Sequence, residues 1–99
     1  MDMEALMAQA QQLQEKVATA QEELGRTNVK GIANGGACIA ELTCKYDVVG
    51  ITIREDALAH GAAFVSQVVT DALRDAKAKA DKVIDKVMGE ATADMPMPN

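Results

Sequence analysis

The chain is predicted to fold as an α+β domain ordered N-terminal helix, three-stranded antiparallel meander, long C-terminal helix. Three observations predict this. Apolar residues recur at alternating steps of three and four through residues 2–25, and at steps of three and four again from Ala62 onward, which is the spacing of a helix seam. Between these blocks, residues 27–55 are richer in β-branched residues and carry Gly31, Gly35, Gly36 and Gly50. Ninety-nine residues make one domain rather than two, and 48% hydrophobic with 25% charged residues fits a folded globular chain.

The first helix has its seam at Met3, Leu6, Ala10, Leu13, Val17, Ala20 and Leu24. Gln9, Gln11, Gln12, Gln14 and Gln21 lie between, favouring helix while staying solvated. Gly25 is read as the stop signal.

The middle block is a meander. A two-residue turn at Gly35-Gly36 uses the positive φ that glycine tolerates. It sets Ile32 opposite Ile39, Lys30 opposite Glu41 and Val29 opposite Leu42. One face then reads Val29, Gly31, Ala33, Cys38, Ala40 and Leu42, wholly apolar, and the other is mixed. A second reversal near Lys45-Tyr46 pairs Leu42 with Val49, Ala40 with Ile51 and Cys38 with Ile53, extending the apolar face.

In the third block Asp56 is a candidate N-cap, and Ala57 to Gly61 a short turn. The long helix follows, with a seam at Val65, Val69, Ala72, Ala76, Ala80, Val83 and Val87 and a stop at Gly89. Residues 1–90 form the domain, and residues 91–99, with Pro96 and Pro98, are expected to be a mobile tail.

The residue inventory argues against catalysis. His60 is the only histidine and Ser66 the only serine, and neither has a sequence context that would activate it. No catalytic residue, metal site, cofactor or small-molecule substrate is expected. Cys38 and Cys44 lie on one strand, roughly 20 Å apart at about 3.3 Å per residue, too far to bridge. They are expected to be free and buried. No segment approaches the apolar length of a membrane span. Met1-Asp2-Met3-Glu4 has no signal-peptide character, so a cytoplasmic protein is expected.

Charge is distributed unevenly. The net charge is −5, which counts against a strongly basic nucleic-acid binder. Residues 74–86 nevertheless hold five bases and three acids, and Lys79, Lys82 and Lys86 share one ridge of the helix. The ridge reads either as a solvated face, self-paired through Asp75–Lys79 and Lys77–Asp81, or as a shallow phosphate-contacting surface. Dimerisation would double it. A homodimer is expected, because the two seams exceed what a small sheet can cover. Its interface is expected at Ile32 and Ile39 on the mixed sheet face and at Val83 and Val87 on the last helix.

The run Met7-Ala8-Gln9-Ala10-Gln11-Gln12-Leu13-Gln14-Glu15-Lys16 resembles the first-helix signature of the YbaB/EbfC family of bacterial nucleoid-associated proteins. Asn34-Gly35-Gly36, Ile51-Thr52-Ile53-Arg54, Thr70-Asp71-Ala72 and Met95-Pro96-Met97-Pro98 are similar to its turn, strand ending, helix motif and tail. The resemblance implies a tweezer-like homodimer in the nucleoid that binds double-stranded DNA with little sequence preference. Lys79, Lys82 and Lys86, with Lys16 and Arg26 from the first helix, are the expected phosphate contacts. The alternative is a protein-interaction module, an accessory to a recombination or replication factor without direct DNA contact. Thr43-Cys44-Lys45-Tyr46 departs from the family's Asn-Gly type of reversal, and Glu55 stands where a Pro is common.

Overall fold

A computed structural model describes residues 2–93, in the order α1 (Met3–Arg26), β1 (Asn28–Ala33), β2 (Cys38–Thr43), β3 (Val48–Ile53), α2 (Glu55–Leu58) and α3 (Ala62–Ala91). The strands form one antiparallel sheet in the order β1-β2-β3. The molecule is elongated, 68 × 25 × 16 Å, because α1 and α3 pack against each other beyond the sheet. Of the expected tail, residues 91–99, Ala91 is the last residue of α3 and residues 94–99 lie outside the described residues.

Both helices run past the glycines expected to stop them. Gly25 lies within α1 and Gly89 within α3. Each helix instead ends at a threonine whose hydroxyl donates to a carbonyl four residues back: Thr27 to Glu23 at 2.8 Å and Thr92 to Met88 at 2.9 Å. The first bond satisfies a carbonyl that the helix end leaves unpaired, and the second joins the Thr92 amide, 3.1 Å, on the Met88 carbonyl. The Leu24 carbonyl also accepts from the Cys44 amide at 3.1 Å, tying the end of α1 to the β2–β3 turn. At the other end of α1, Asp2 is the N-cap, its carboxylate accepting from the Glu4 amide at 3.1 Å.

The β1–β2 register agrees with the sequence reading, with Ile32 opposite Ile39, Lys30 opposite Glu41 and Val29 opposite Leu42. The turn is longer than expected. Ala33 and Cys38 are the last pair, and Asn34–Gly36 forms one 3-10 turn with φ of 52°, 65° and 100° at its three residues. The β2–β3 pairing holds at Cys38–Ile53 and Ala40–Ile51, but Leu42 pairs with Val48, not Val49. A bulge between Glu41 and Leu42 shifts the register there, which periodicity alone does not reveal. The hairpin closes through Tyr46 N–H to the Thr43 carbonyl and Thr43 N–H to the Asp47 carbonyl, both 2.9 Å. Tyr46 takes φ 68°, a position that favours Gly or Asn in such three-residue loops.

Asp56 is not an N-cap. Arg54 occupies that position, and Asp56 sits in the first turn of α2, where it pairs with Arg54 Nε at 2.6 Å. That pair, with Arg54 N–H donating to the Ala37 carbonyl at 2.9 Å, fastens the end of β3 beside the glycine turn. In α3 the fully buried stripe is Val68, Ala72, Ala76 and Ala80, at steps of four. The expected seam residues Val65, Val69, Val83 and Val87 flank it and are half-buried.

The core has two parts. Ala33, Ala37, Cys38, Ala40, Ala57, Val68 and Ala72 pack under the sheet, with Ile53, Phe64, Val69 and Leu73 around them. Leu24, Cys44 and Ala80 join α1 to α3, flanked by Val29, Val83, Ile84, Val87 and Met88. Alanine dominates because helix and strand backbones approach closely. Burial pushes the Cys38 and Cys44 thiols above their ordinary pKa, and both are free.

The apolar face of β3 is not covered within the chain. Val48, Val49 and Ile51 are 58%, 53% and 42% exposed, because α3 crosses β1 and β2 and barely reaches β3.

Candidate nucleic-acid interface

The two edges of the sheet are treated differently. In an antiparallel strand, alternate residues point both backbone groups away from the neighbouring strand. On β1 the Ile32 amide and the Lys30 carbonyl point to the free edge, and α3 takes both. Asp75 Oδ2 accepts from Ile32 N–H at 2.9 Å, and Lys79 Nζ donates to the Lys30 carbonyl at 2.8 Å. Lys79 and Asp75 also pair at 3.0 Å. The Ile32 amide first and Lys79 second hold the Asp75 carboxyl below the usual carboxylate range.

On its other flank α3 is fixed to the β2–β3 turn. The Tyr46 hydroxyl donates to Asp81, and Lys77 pairs with Asp81 at 3.5 Å. That hydroxyl lowers the Asp81 pKa, while Asp81 raises that of Tyr46. The Lys77 ammonium stands 5.9 Å from the Tyr46 ring centroid. No side-chain hydrogen bond among the described residues reaches β3 in this way.

Lys79, Lys82 and Lys86 do lie on one side of α3, the side towards β1. Lys79 is engaged by Asp75 and the Lys30 carbonyl. Lys82 and Lys86 are exposed and make no ion pair among the described residues. Arg26 is the last residue of α1, exposed, two residues before β1. Lys16 stands apart in a cleft of about 570 Å³ between α1 and α3, lined also by Glu15, Glu23, Val87 and Glu90.

Of the four residues expected at a dimer interface, Ile32 and Ile39 face each other on the sheet surface away from α3, with Ile32 48% exposed. Val83 and Val87 pack around Leu24 and Ala80 within the chain. Val48, Val49 and Ile51 of β3 are also uncovered, a feature the sequence pattern masks by assigning β3 to the covered face. Lys30, which the charge run on α3 does not include, lies on the β1 edge that Lys79 engages. Its only sequence signal is its register opposite Glu41.

Among the described residues, no cluster of three or more His, Cys, Asp or Glu is placed to hold a metal, and no helix is long and apolar enough to cross a membrane.

The comparisons with known proteins agree with this architecture. A model described as the YbaB/EbfC DNA-binding family matches residues 1–95. Two proteins named "Nucleoid-associated protein", from Neisseria gonorrhoeae strains NCCP11945 and ATCC 700825 / FA 1090, are each 35% identical over 94 residues, covering 92% of this chain and 85% of theirs. The crystal structure of an uncharacterized protein from Helicobacter pylori superposes with a TM-score of 0.79 at 14% identity, over 91% of this chain and 96% of that one. That likeness bears on the fold alone.

Proposed function

The chain belongs to the YbaB/EbfC DNA-binding family, and from that premise we propose that it binds double-stranded DNA as a nucleoid-associated homodimer, through phosphate contacts with little sequence preference. The observation that carries this reading is the exposed pair Lys82 and Lys86, held one helical turn apart beside the β1 edge without ion-pair partners among the described residues. Lysines on a helix ridge meet phosphates as point charges and read no base edges. Arg26 and Lys16 are secondary candidates. The net charge of −5 is not an obstacle at physiological salt, where the Debye length is about 8 Å and remote acids are screened.

The homodimer reading is supported by the asymmetry of the sheet. The β1 edge is closed by Asp75 and Lys79, whereas β3 carries exposed Val48 and Ile51 and no side-chain hydrogen bond from α3 among the described residues. An open, apolar edge strand invites a second chain. A second copy seated there would bury that patch and double the number of Lys82 and Lys86 side chains.

With those four lysines on phosphates, log K should fall against log salt with a slope near −3.6, and Kd should lie at roughly 10⁻⁴ to 10⁻⁶ M at physiological salt. Fluorescence anisotropy on unrelated duplexes tests this. The runner-up reading, a protein-interaction module, draws on the α1–α3 cleft with Glu15, Glu23 and Glu90 at its rim. Absence of DNA binding even at low salt would favour it.

A further inference from the structure

We propose that Lys30 is a phosphate contact and that Lys79 is a positioning residue, so that strand β1 and helix α3 form one composite phosphate-binding edge. This rests on the DNA-binding reading above. It differs from a simple helix ridge in which Lys79, Lys82 and Lys86 play equal parts.

The geometry separates the two lysines. Lys79 Nζ spends one donor on the Lys30 carbonyl at 2.8 Å and faces Asp75 Oδ2 at 3.0 Å. The same Asp75 oxygen receives the Ile32 amide at 2.9 Å. To reach a phosphate, Lys79 would have to leave a carbonyl and a carboxylate together. Leaving would also strip the Lys30 carbonyl, on an edge strand, of its partner. Its charge is already opposed at contact distance, so it adds little to the field outside.

Lys30 is the reverse case. Its backbone is held by α3, but its side chain lies on the exposed sheet face. Its cross-strand neighbour is Glu41, whose carboxylate accepts from the Asn28 side-chain amide at 2.9 Å. Lys30 has no ion pair among the described residues. The Lys79 bond places the Lys30 main chain beside α3, just before the turns that carry Lys82 and Lys86. Successive helical turns rise about 5.4 Å, while one DNA strand carries a phosphate every 3.4 Å of axis. Long lysine side chains bridge that mismatch easily. Lys30, on the sheet face away from α3, and Lys82 and Lys86, on α3, thus flank the β1 edge, with Asp75 and Lys79 as its fastening.

Salt titration of DNA binding distinguishes a contact from a positioning group, because each phosphate neutralised adds about 0.9 to the slope. In a dimer, Lys30, Lys82 and Lys86 give six contacts and a slope near −5.4. Lys30→Gln should bring it to about −3.6 with an unchanged melting temperature. Lys79→Met should lower the melting temperature, yet leave the slope of the folded protein near wild type. Lys79→Arg should restore the melt. Lys30→Gln removes only an exposed side chain, so it remains decisive if Lys79→Met fails to fold. The inference is overturned if Lys30→Gln leaves the slope unchanged, or if folded Lys79→Met loses as much slope as Lys30→Gln does. Wild-type protein that binds no duplex at low salt defeats the DNA reading itself. A wild-type slope that falls with Lys82→Gln/Lys86→Gln but not with Lys30→Gln defeats this inference alone.

Discussion

Gly31 lies so close to α3 that a Cβ built on it would stand 1.9 Å from the Ala72 carbonyl oxygen and 2.7 Å from the Ala76 Cβ. The two elements meet main chain to main chain at this point, and the latch at Asp75 and Lys79 lies on the adjoining turn. Close approach lets α3 reach the β1 edge at all. The small residues on both sides are therefore part of the candidate site's construction, not only of the core.

Gly31→Ala should accordingly be severe. The two nearest atoms it meets, the Ala72 carbonyl oxygen and the Ala76 amide nitrogen, are backbone and cannot rotate away. Overpacking of this kind costs about 3 kcal/mol or more. Urea unfolding should show a large fall in midpoint with little change in m-value. An unchanged midpoint would mean that helix and strand separate freely, and the latch geometry would lose its basis.

The pH dependence has a defined sign at each end. The Asp75, Asp81 and Asp56 carboxyls are held below their ordinary range by the Ile32 amide, the Tyr46 hydroxyl and the Arg54 guanidinium respectively. A depressed carboxyl contributes stability that is present above its unfolded pKa, about 3.9, and lost as pH falls through the folded value. The raised Tyr46 hydroxyl contributes below its unfolded pKa, about 10, and loses that contribution as pH rises through the folded value. Melting temperature against pH should fall at both extremes. Asp75→Asn should flatten the acid limb, and an acid limb as steep as wild type would show that the latch is not formed.

Tyr46 and Asp81 should behave as a coupled pair. The hydroxyl secures a residue held in the left-handed region, where a side chain is strained. Tyr46→Phe and Asp81→Asn should each destabilise, and the double variant should cost less than their sum in a double-mutant cycle. Simple additivity would indicate that the turn holds its shape unaided.

How much of this could be read from the chain varies by residue. The β1–β2 register was legible because Gly35-Gly36 leaves one pairing that sorts both strands by face. The shift to Leu42–Val48 was not, since a bulge changes which residues pair without leaving a mark on composition. The α3 seam was legible as helix. Its buried stripe was displaced to Val68 because valines lie on both flanks, and packing against alanine-rich β1 and β2 decides between them. Lys79 looked like its neighbours because nothing in a charge run shows that one lysine meets a carbonyl 49 residues away. The exposure of β3 was hidden for a related reason. Alternation reports which face a residue takes, not whether a helix covers that face.

Both thiols should be unreactive in the folded protein. Cys38 and Cys44 are buried, free and raised in pKa. Reagent counting without reductant should find two thiols per chain after denaturation and slow reaction before it. A bridge would contradict the β2 assignment.

The assembly prediction follows from the open edge. Sedimentation equilibrium at micromolar concentration should give a dimer mass, and Ile51→Lys with Val48→Lys should give a folded monomer. Substitutions at Lys82 and Lys86 should leave the mass unchanged. A wild-type monomer would remove the second set of lysines and halve the expected salt slope.

The most direct test of the account is the affinity of wild-type protein for two unrelated duplexes, measured from 50 to 200 mM salt, beside Lys82→Glu/Lys86→Glu. Both duplexes should bind equally within a few-fold, with a log–log slope between about −3.6 and −5.4. The double variant should lose affinity markedly at unchanged dimer mass. Binding that is absent at the lowest salt, insensitive to salt, or undiminished in the double variant would contradict it.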